Sequence, residues 1–75
     1  MTVAELKIGE SGVVTSVLPS ALSGKALTMG LVPGTEVELV AVAPLGDPII
    51  IKLRGFKLGL RLDEASTIEI DKKNS

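Results

Sequence analysis

The sequence predicts a small, mainly β domain of about five strands with one short helix inserted after the first strand. Short runs rich in β-branched and aliphatic residues alternate with Gly and Pro, a pattern typical of strands joined by tight turns. The 75-residue length allows one domain, placed at residues 1–71, with a disordered tail over 72–75. Because few apolar residues are left to form a second layer, we expect the sheet to curl around its own apolar face and form a small closed barrel.

The predicted strands show a two-residue alternation, which separates an apolar, core-facing side from a polar, solvent-facing side. They cover residues 13–18, 35–43, 49–53, 57–62 and 67–71. The inward side chains of the third and fourth strands are predicted to be Ile49, Ile51, Leu53, Leu58, Leu60 and Leu62. In the second strand, Val40 and Val42 fall on the solvent-facing side, which predicts either a bulge or a covering partner. These two valines could also support weak self-association.

Helix and turn signals punctuate the strands. Residues 20–29 are the predicted helix, with Ser20 able to cap its start and Gly30 its end. Thr2 and Glu5 have the spacing of a capping box, which predicts a single helical turn at the beginning. Pro33-Gly34 predicts a type II turn, since Pro fixes φ at the second position and Gly supplies positive φ at the third. Residues 63–65 are expected to form a turn.

Composition excludes several classes of function. The chain has no His and no Cys, so none of its serines has an imidazole base and no thiol nucleophile exists. We therefore predict no catalytic residues, no enzyme activity and no bound cofactor. A net charge of −1, scattered basic residues and a single aromatic ring, Phe56, argue against nucleic-acid binding. No apolar run is long enough to span a bilayer, so we expect a cytoplasmic protein without direct membrane insertion.

Metal binding is an alternative that the sequence leaves open. Only carboxylates and carbonyls are available as ligands, and transition metals generally favour sites that contain imidazole or thiolate. A weak, hydrated site at Asp47 or at Asp63–Glu64 would make the chain a small metal-responsive regulatory module. The sequence assigns no definite metal ligands.

Three segments carry a family resemblance when they are taken in order. They are residues 27–37 (LTMGLVPGTEV), residues 44–49 (PLGDPI), and residues 58–61 (LGLR) leading to Glu64, Ala65 and Ile68. Together they resemble the ferrous iron transport protein A family, FeoA, over roughly residues 3–70. The resemblance implies an SH3-like β-barrel and a cytosolic accessory role in bacterial ferrous iron uptake. It also implies a partner, the membrane transporter FeoB, whose cytosolic part carries a GTP-binding domain.

The resemblance also bears on the regulatory alternative and on the positive charge available at the predicted contact surface. A similar SH3-like module forms the C-terminal domain of metal-dependent repressors of the diphtheria-toxin-repressor type. In this sequence, no helix-turn-helix region precedes the predicted barrel. The family often has several basic residues just before the Leu27 position, whereas this chain keeps Lys25 alone.

A contact surface for the transporter is predicted around the helix and the Pro-Gly turn, together with the loop over 44–48. Its residues are Lys25, Met29, Leu31, Val32, Leu45 and Asp47. Methionine and aliphatic side chains outside a closed barrel are suited to protein contacts. The alternative for Leu27 and Met29 is that both close the open end of the barrel.

Overall fold

Five antiparallel strands and two short helices build the part of the chain that a computed structural model describes, residues 1–19 and 23–73, with Ser23 as backbone alone. The strands are β1 (Ser11–Val17), β2 (Glu36–Val42), β3 (Ile49–Leu53), β4 (Phe56–Leu60) and β5 (Ile68–Lys72). The helices are α1 (Ser23–Met29) and α2 (Leu62–Ala65), and a 3₁₀ turn covers Val3–Glu5. The predicted class, mainly β with a helix after the first strand, is confirmed.

The strands form one sheet in the order β4-β3-β2-β1-β5. Within the described ranges, β4 pairs with β3 alone, while β5 pairs with β1 and, through Glu69, with Thr2. The expectation that strand pairing closes the sheet is therefore wrong. The N-terminal segment is the physical reason why the sheet stays open at β5. The carbonyl of Met1 accepts a hydrogen bond from the N–H of Ile70 at 2.8 Å, so this segment occupies the free edge of β5.

The core lies on the apolar face of the sheet that the two-residue alternation predicts. The third strand has the expected inward residues, because Ile49, Ile51 and Leu53 are all buried. Buried hydrophobic residues from every strand and both helices make one cluster: Val3, Leu6, Val14, Ala26, Leu31, Val37, Leu39, Ile49, Ile51, Leu53, Leu60, Ala65, Ile68 and Ile70. With no disulfide and no aromatic ring in this cluster, aliphatic packing supplies the cohesion.

A bulge in β2 explains the misplaced valines. The pairing of β2 with β3 shifts between Leu39 and Ala41, which adds one residue to β2 and reverses the side-chain alternation beyond it. Val40 is half-buried, and Val42 lies opposite Ile49 at the rim of the core. The bulge predicted from sequence is confirmed, and self-association through these valines stays a prediction.

The turn and cap signals act as expected at the junction of α1 and β2. Gly34 has φ +95°, and the N–H of Thr35 donates to the carbonyl of Val32 at 3.0 Å, which closes the predicted Pro-Gly turn. Gly30 has φ +85° and ends α1, so that the N–H of Leu31 reaches back to the carbonyl of Ala26 at 2.8 Å. The predicted Ser20 cap and residues 20–22 of the predicted helix lie outside the described residues.

Two boundaries differ from expectation. The predicted turn over 63–65 is the helix α2, which begins at Leu62, so Leu62 leaves the strand and is exposed instead of pointing inward. The tail expected to be disordered from residue 72 begins later, because β5 continues through Lys72 and the N–H of Lys73 donates to the carbonyl of Ser11 at 2.9 Å. Asn74 and Ser75 lie outside the described residues.

Candidate functional site

Helix α1 has a solvent-facing side with both polar and apolar residues and an opposite side that packs on the core. Ala26 is buried and Met29 packs half-buried against the core, three residues further on. Leu27 lies off that stripe and is 71% exposed. We call the outward group the helical surface and define it as Lys25, Leu27 and Thr28 with the half-buried Met29 and Val32.

The helical surface is anchored by a buried threonine below it. Thr35, just 5% exposed, donates from Oγ1 to the carbonyl of Gly30 at 2.8 Å. The same Oγ1 accepts a hydrogen bond from Nη2 of Arg54 at 3.4 Å. The end of α1, the start of β2 and the β3–β4 turn therefore meet at one hydroxyl group, which fixes the position of α1 relative to the sheet.

Leu31 does not belong to the surface, contrary to the sequence prediction. Its side chain is 1% exposed and forms part of the core. The cause is the left-handed conformation of Gly30, which reverses the chain and directs the next residue beneath α1. Leu31 is therefore not exposed on the helical surface, whereas Lys25 is exposed and Met29 and Val32 are half-buried; partner contact by these residues stays a prediction.

Leu45 and Asp47 lie at the other end of the molecule. The β2–β3 loop stands opposite the β3–β4 turn that touches Thr35, so the length of β3, roughly 16 Å, separates it from the helical surface. Leu45 is 95% exposed, and Asp47 accepts a hydrogen bond at Oδ1 from the N–H of Leu62 at 3.0 Å. Asp47 thus secures the start of α2, and the six predicted contact residues do not form one site.

Leu27 is an exposed residue of α1 that was not among the predicted contact residues. The place suggested for Leu27 was the open end of the barrel, whereas its side chain is 71% exposed. Helical periodicity could have found this, because a residue one step from Ala26 is rotated by about 100° around the helix axis. Leu27 is the most exposed large apolar side chain in a described helix.

Most acidic side chains of the described residues accept hydrogen bonds or form ion pairs, and they do not cluster. Asp63 Oδ1 and Glu64 Oε1 accept backbone N–H groups at the start of α2 at 2.9 and 3.0 Å. Across residues 1–19 and 23–73, no group of three or more Asp or Glu side chains is placed to hold a metal ion. The hydrogen bond from the Lys72 ammonium to the Glu10 carboxylate, helped by the N–H of Lys7, lowers the pKa of Glu10 below its ordinary value.

Solved structures with the same fold define the class of the protein. The chain superimposes with a TM-score of 0.87 on the iron(II) transport protein A of Clostridium thermocellum, at 39% identity over 95% of this chain and 44% of that one. It superimposes with a TM-score of 0.84 on the FeoA of Stenotrophomonas maltophilia complexed with zinc, an SH3 domain protein, at 33% identity over 95% and 89% of the two chains. The fold is that of an SH3-like β domain.

The family follows from the sequence matches. The FeoA domain model matches residues 1–72. A curated fusion protein of Porphyromonas gingivalis, in which Fe(2+) transport protein A is joined to the Fe(2+) transporter FeoB, is 32% identical over 72 residues. The match covers 95% of this chain and 8% of the fusion protein. The chain belongs to the FeoA family, which is associated with ferrous iron transport.

Among the described residues, no helix has both the length and the apolar character needed to cross a bilayer.

Proposed function

We propose that this chain is a cytoplasmic accessory component of bacterial ferrous iron uptake, which docks on the cytosolic GTP-binding part of a FeoB-type transporter. The observation that carries the proposal is the Porphyromonas gingivalis fusion protein, where one polypeptide joins the two components. Covalent linkage holds two domains at a high effective concentration, which is useful when they act in contact. The contact proposed for this chain is the same one, between its FeoA domain and a FeoB-type transporter.

The helical surface is the docking site that we favour for this contact. It offers an exposed leucine, Leu27, on a helix that the Thr35 hydrogen bonds hold firmly to the sheet. An apolar side chain on a rigid support loses little conformational freedom on binding, and the neighbouring charge of Lys25 suits the polar rim of an interface. The chain has neither His nor Cys, which agrees with a role in contact and not in catalysis.

The docking proposal is tested with the isolated cytosolic portion of a FeoB-type transporter, with and without a non-hydrolysable GTP analogue. Calorimetric titration of the wild-type chain should give a saturable complex. Leu27→Gln should weaken it by about tenfold, as expected for loss of a well-packed apolar anchor. Leu45→Gln is the matched control, since it makes the same change at another exposed leucine, which lies at the opposite end.

The outcomes separate the function from its location on the molecule. If wild-type chain shows no saturable binding in either nucleotide state, the transporter is not its direct partner. If Leu45→Gln weakens the complex and Leu27→Gln leaves it intact, the partner binds at the β2–β3 loop and the helical surface is wrong.

A further inference from the structure

The β3–β4 hairpin is strongly basic although the chain as a whole is slightly acidic. Residues 49–61 carry Lys52, Arg54, Lys57 and Arg61 and contain no Asp or Glu. The remaining four basic residues are outnumbered by all nine acidic ones, so the rest of the chain has a net charge of −5. All four hairpin cations are exposed, and none forms a salt bridge within the described part of the chain. The hairpin therefore attracts anionic groups.

Strand β4 is also an open edge of the sheet. The Arg54-Gly55 turn makes Leu53 and Phe56 the first hydrogen-bonded pair of the hairpin, and bonded pairs alternate with non-bonded ones beyond it. The N–H and C=O groups of Lys57 and Gly59 consequently point away from β3. No backbone hydrogen bond joins these two residues to another element among residues 1–19 and 23–73. The opposite edge, β5, is covered by Met1 and Thr2.

Two rows of side chains on the outer face end at this open edge. One row runs Glu38–Lys52–Lys57, with each residue directly opposite the next. It leaves two lysines side by side at a non-hydrogen-bonded position, where like charges are destabilising. The second row runs Ala41–Ile50–Gly59, and the missing side chain of Gly59 leaves its Cβ position 3.6 Å from Cδ1 of Ile50. A further strand would meet a cation in one row and an apolar gap in the other.

We infer that β4 binds an extended, acidic segment of a partner protein by strand addition. The segment pairs its backbone with the free groups of Lys57 and Gly59. A carboxylate in the segment lies beside Lys57 and offsets the repulsion from Lys52, and an apolar residue two positions away covers Gly59 and Ile50. This surface is separate from the helical surface and does not depend on the transporter being the partner.

The test uses the full chain, labelled with nitrogen-15, and a blocked peptide of sequence serine-glutamate-threonine-valine-threonine-glutamate-serine. Glutamate, valine and glutamate share one face of this peptide in the extended state, so either strand direction presents the required pattern. Titration should shift the amide signals of Lys57 and Gly59 and slow their hydrogen exchange. A peptide with glutamine for glutamate should bind about tenfold more weakly, because attraction to the basic hairpin is lost.

Variants and a second peptide distinguish strand addition from other outcomes. Lys57→Glu should weaken binding by about tenfold or more, while Lys7→Glu, an exposed lysine before β1, should leave it within about twofold. A peptide with N-methylated backbone nitrogens should not bind. The inference is overturned if that peptide binds as well as the parent, if the shifts map to α1, if no amide shifts at millimolar peptide, or if a second copy of the chain occupies β4 instead.

Discussion

Arg54 donates from Nη2 to Oγ1 of Thr35 across 3.4 Å, although Arg54 itself has a left-handed backbone with φ +49°. With Gly55 at φ +83°, it forms the two-residue turn that joins β3 to β4. Such turns favour Gly, which has no Cβ, or Asn, whose short polar side chain can hydrogen-bond locally, since the left-handed conformation costs other residues roughly 1 kcal/mol. The arginine side chain reaches over Gly30 and contacts Thr35, so the turn is linked to the end of α1.

Loss of the Thr35 hydroxyl should loosen this junction. Thr35→Val keeps the volume but leaves the carbonyl of Gly30, a half-buried residue, without its 2.8 Å donor. We expect the free energy of unfolding to fall by about 1–3 kcal/mol, measured by urea denaturation. Thr35→Ser retains the hydroxyl and loses one methyl group, so its loss should be smaller, about 1 kcal/mol. An equal stability of Thr35→Val and wild type would show that the hydroxyl contributes nothing.

Two glycines should respond in opposite directions to alanine. A Cβ at Gly12 would lie 2.8 Å from Cδ1 of Ile70 and 2.9 Å from the carbonyl oxygen of Asp71, and the backbone oxygen cannot move away without disturbing β5. Gly12→Ala should therefore destabilise the protein by about 1–3 kcal/mol. At Gly24 in α1, no atom of the described residues outside the adjoining helix backbone lies within 4 Å of the added Cβ. Gly24→Ala should stabilise by about 0.5–1 kcal/mol, since Gly weakens a helix.

Both glycine variants are compared by thermal and urea unfolding under one set of conditions. Circular dichroism at low temperature gives the check on the folded state. A destabilised Gly24→Ala, or a Gly12→Ala as stable as wild type, would contradict the packing described for these positions.

The parts of the fold that were predictable are those set by local signals. The Pro33-Gly34 turn, the Gly30 cap and the inward alternation of Ile49, Ile51 and Leu53 depend on residue type and short-range spacing. The open edge at β4 was not predictable, because it results from Met1 and Thr2 occupying the far edge. Such a contact joins residues almost seventy positions apart and leaves no periodic trace in the sequence.

The candidate site divides in the same way. Lys25, Met29 and Val32 lie close together because they follow one another along α1 and its turn. Leu31 was misplaced because one left-handed residue inverted the facing of the next side chain. Leu45 was predicted to join them, but the antiparallel path of β2 and β3 moves its loop to the other end of the sheet.

The two apolar residues of α1 should differ in their effect on stability. Leu27→Gln changes a side chain that is 71% exposed, so the free energy of unfolding should stay within about 0.5 kcal/mol of wild type. Met29→Gln replaces a side chain packed against the core by a polar one of similar length and should cost about 1–2 kcal/mol. Urea denaturation of both variants measures the difference. If Leu27→Gln proves the more destabilising, Leu27 belongs to the core and cannot serve as a docking anchor.

The ion pair between Glu10 and Lys72 should make stability depend on pH in the acid range. The folded state lowers the pKa of Glu10, mainly through the Lys72 ammonium, so the unfolded chain takes up a proton first as the pH falls. The stabilisation is present at neutral pH, above the unfolded pKa, and is lost as the pH decreases through the lower folded pKa. Urea unfolding between roughly pH 6 and pH 2 should show this loss, with a smaller slope for Glu10→Gln.

Lys72→Met provides the partner test for the same ion pair. In that background, Glu10→Gln should change the pH profile much less than it does in wild type, because the principal cause of the lowered pKa is already absent. Raising the salt concentration should also reduce the difference between wild type and Glu10→Gln, since the pair lies at the surface. Superimposable pH profiles for wild type and Glu10→Gln would mean that this contact does not stabilise the folded chain in solution.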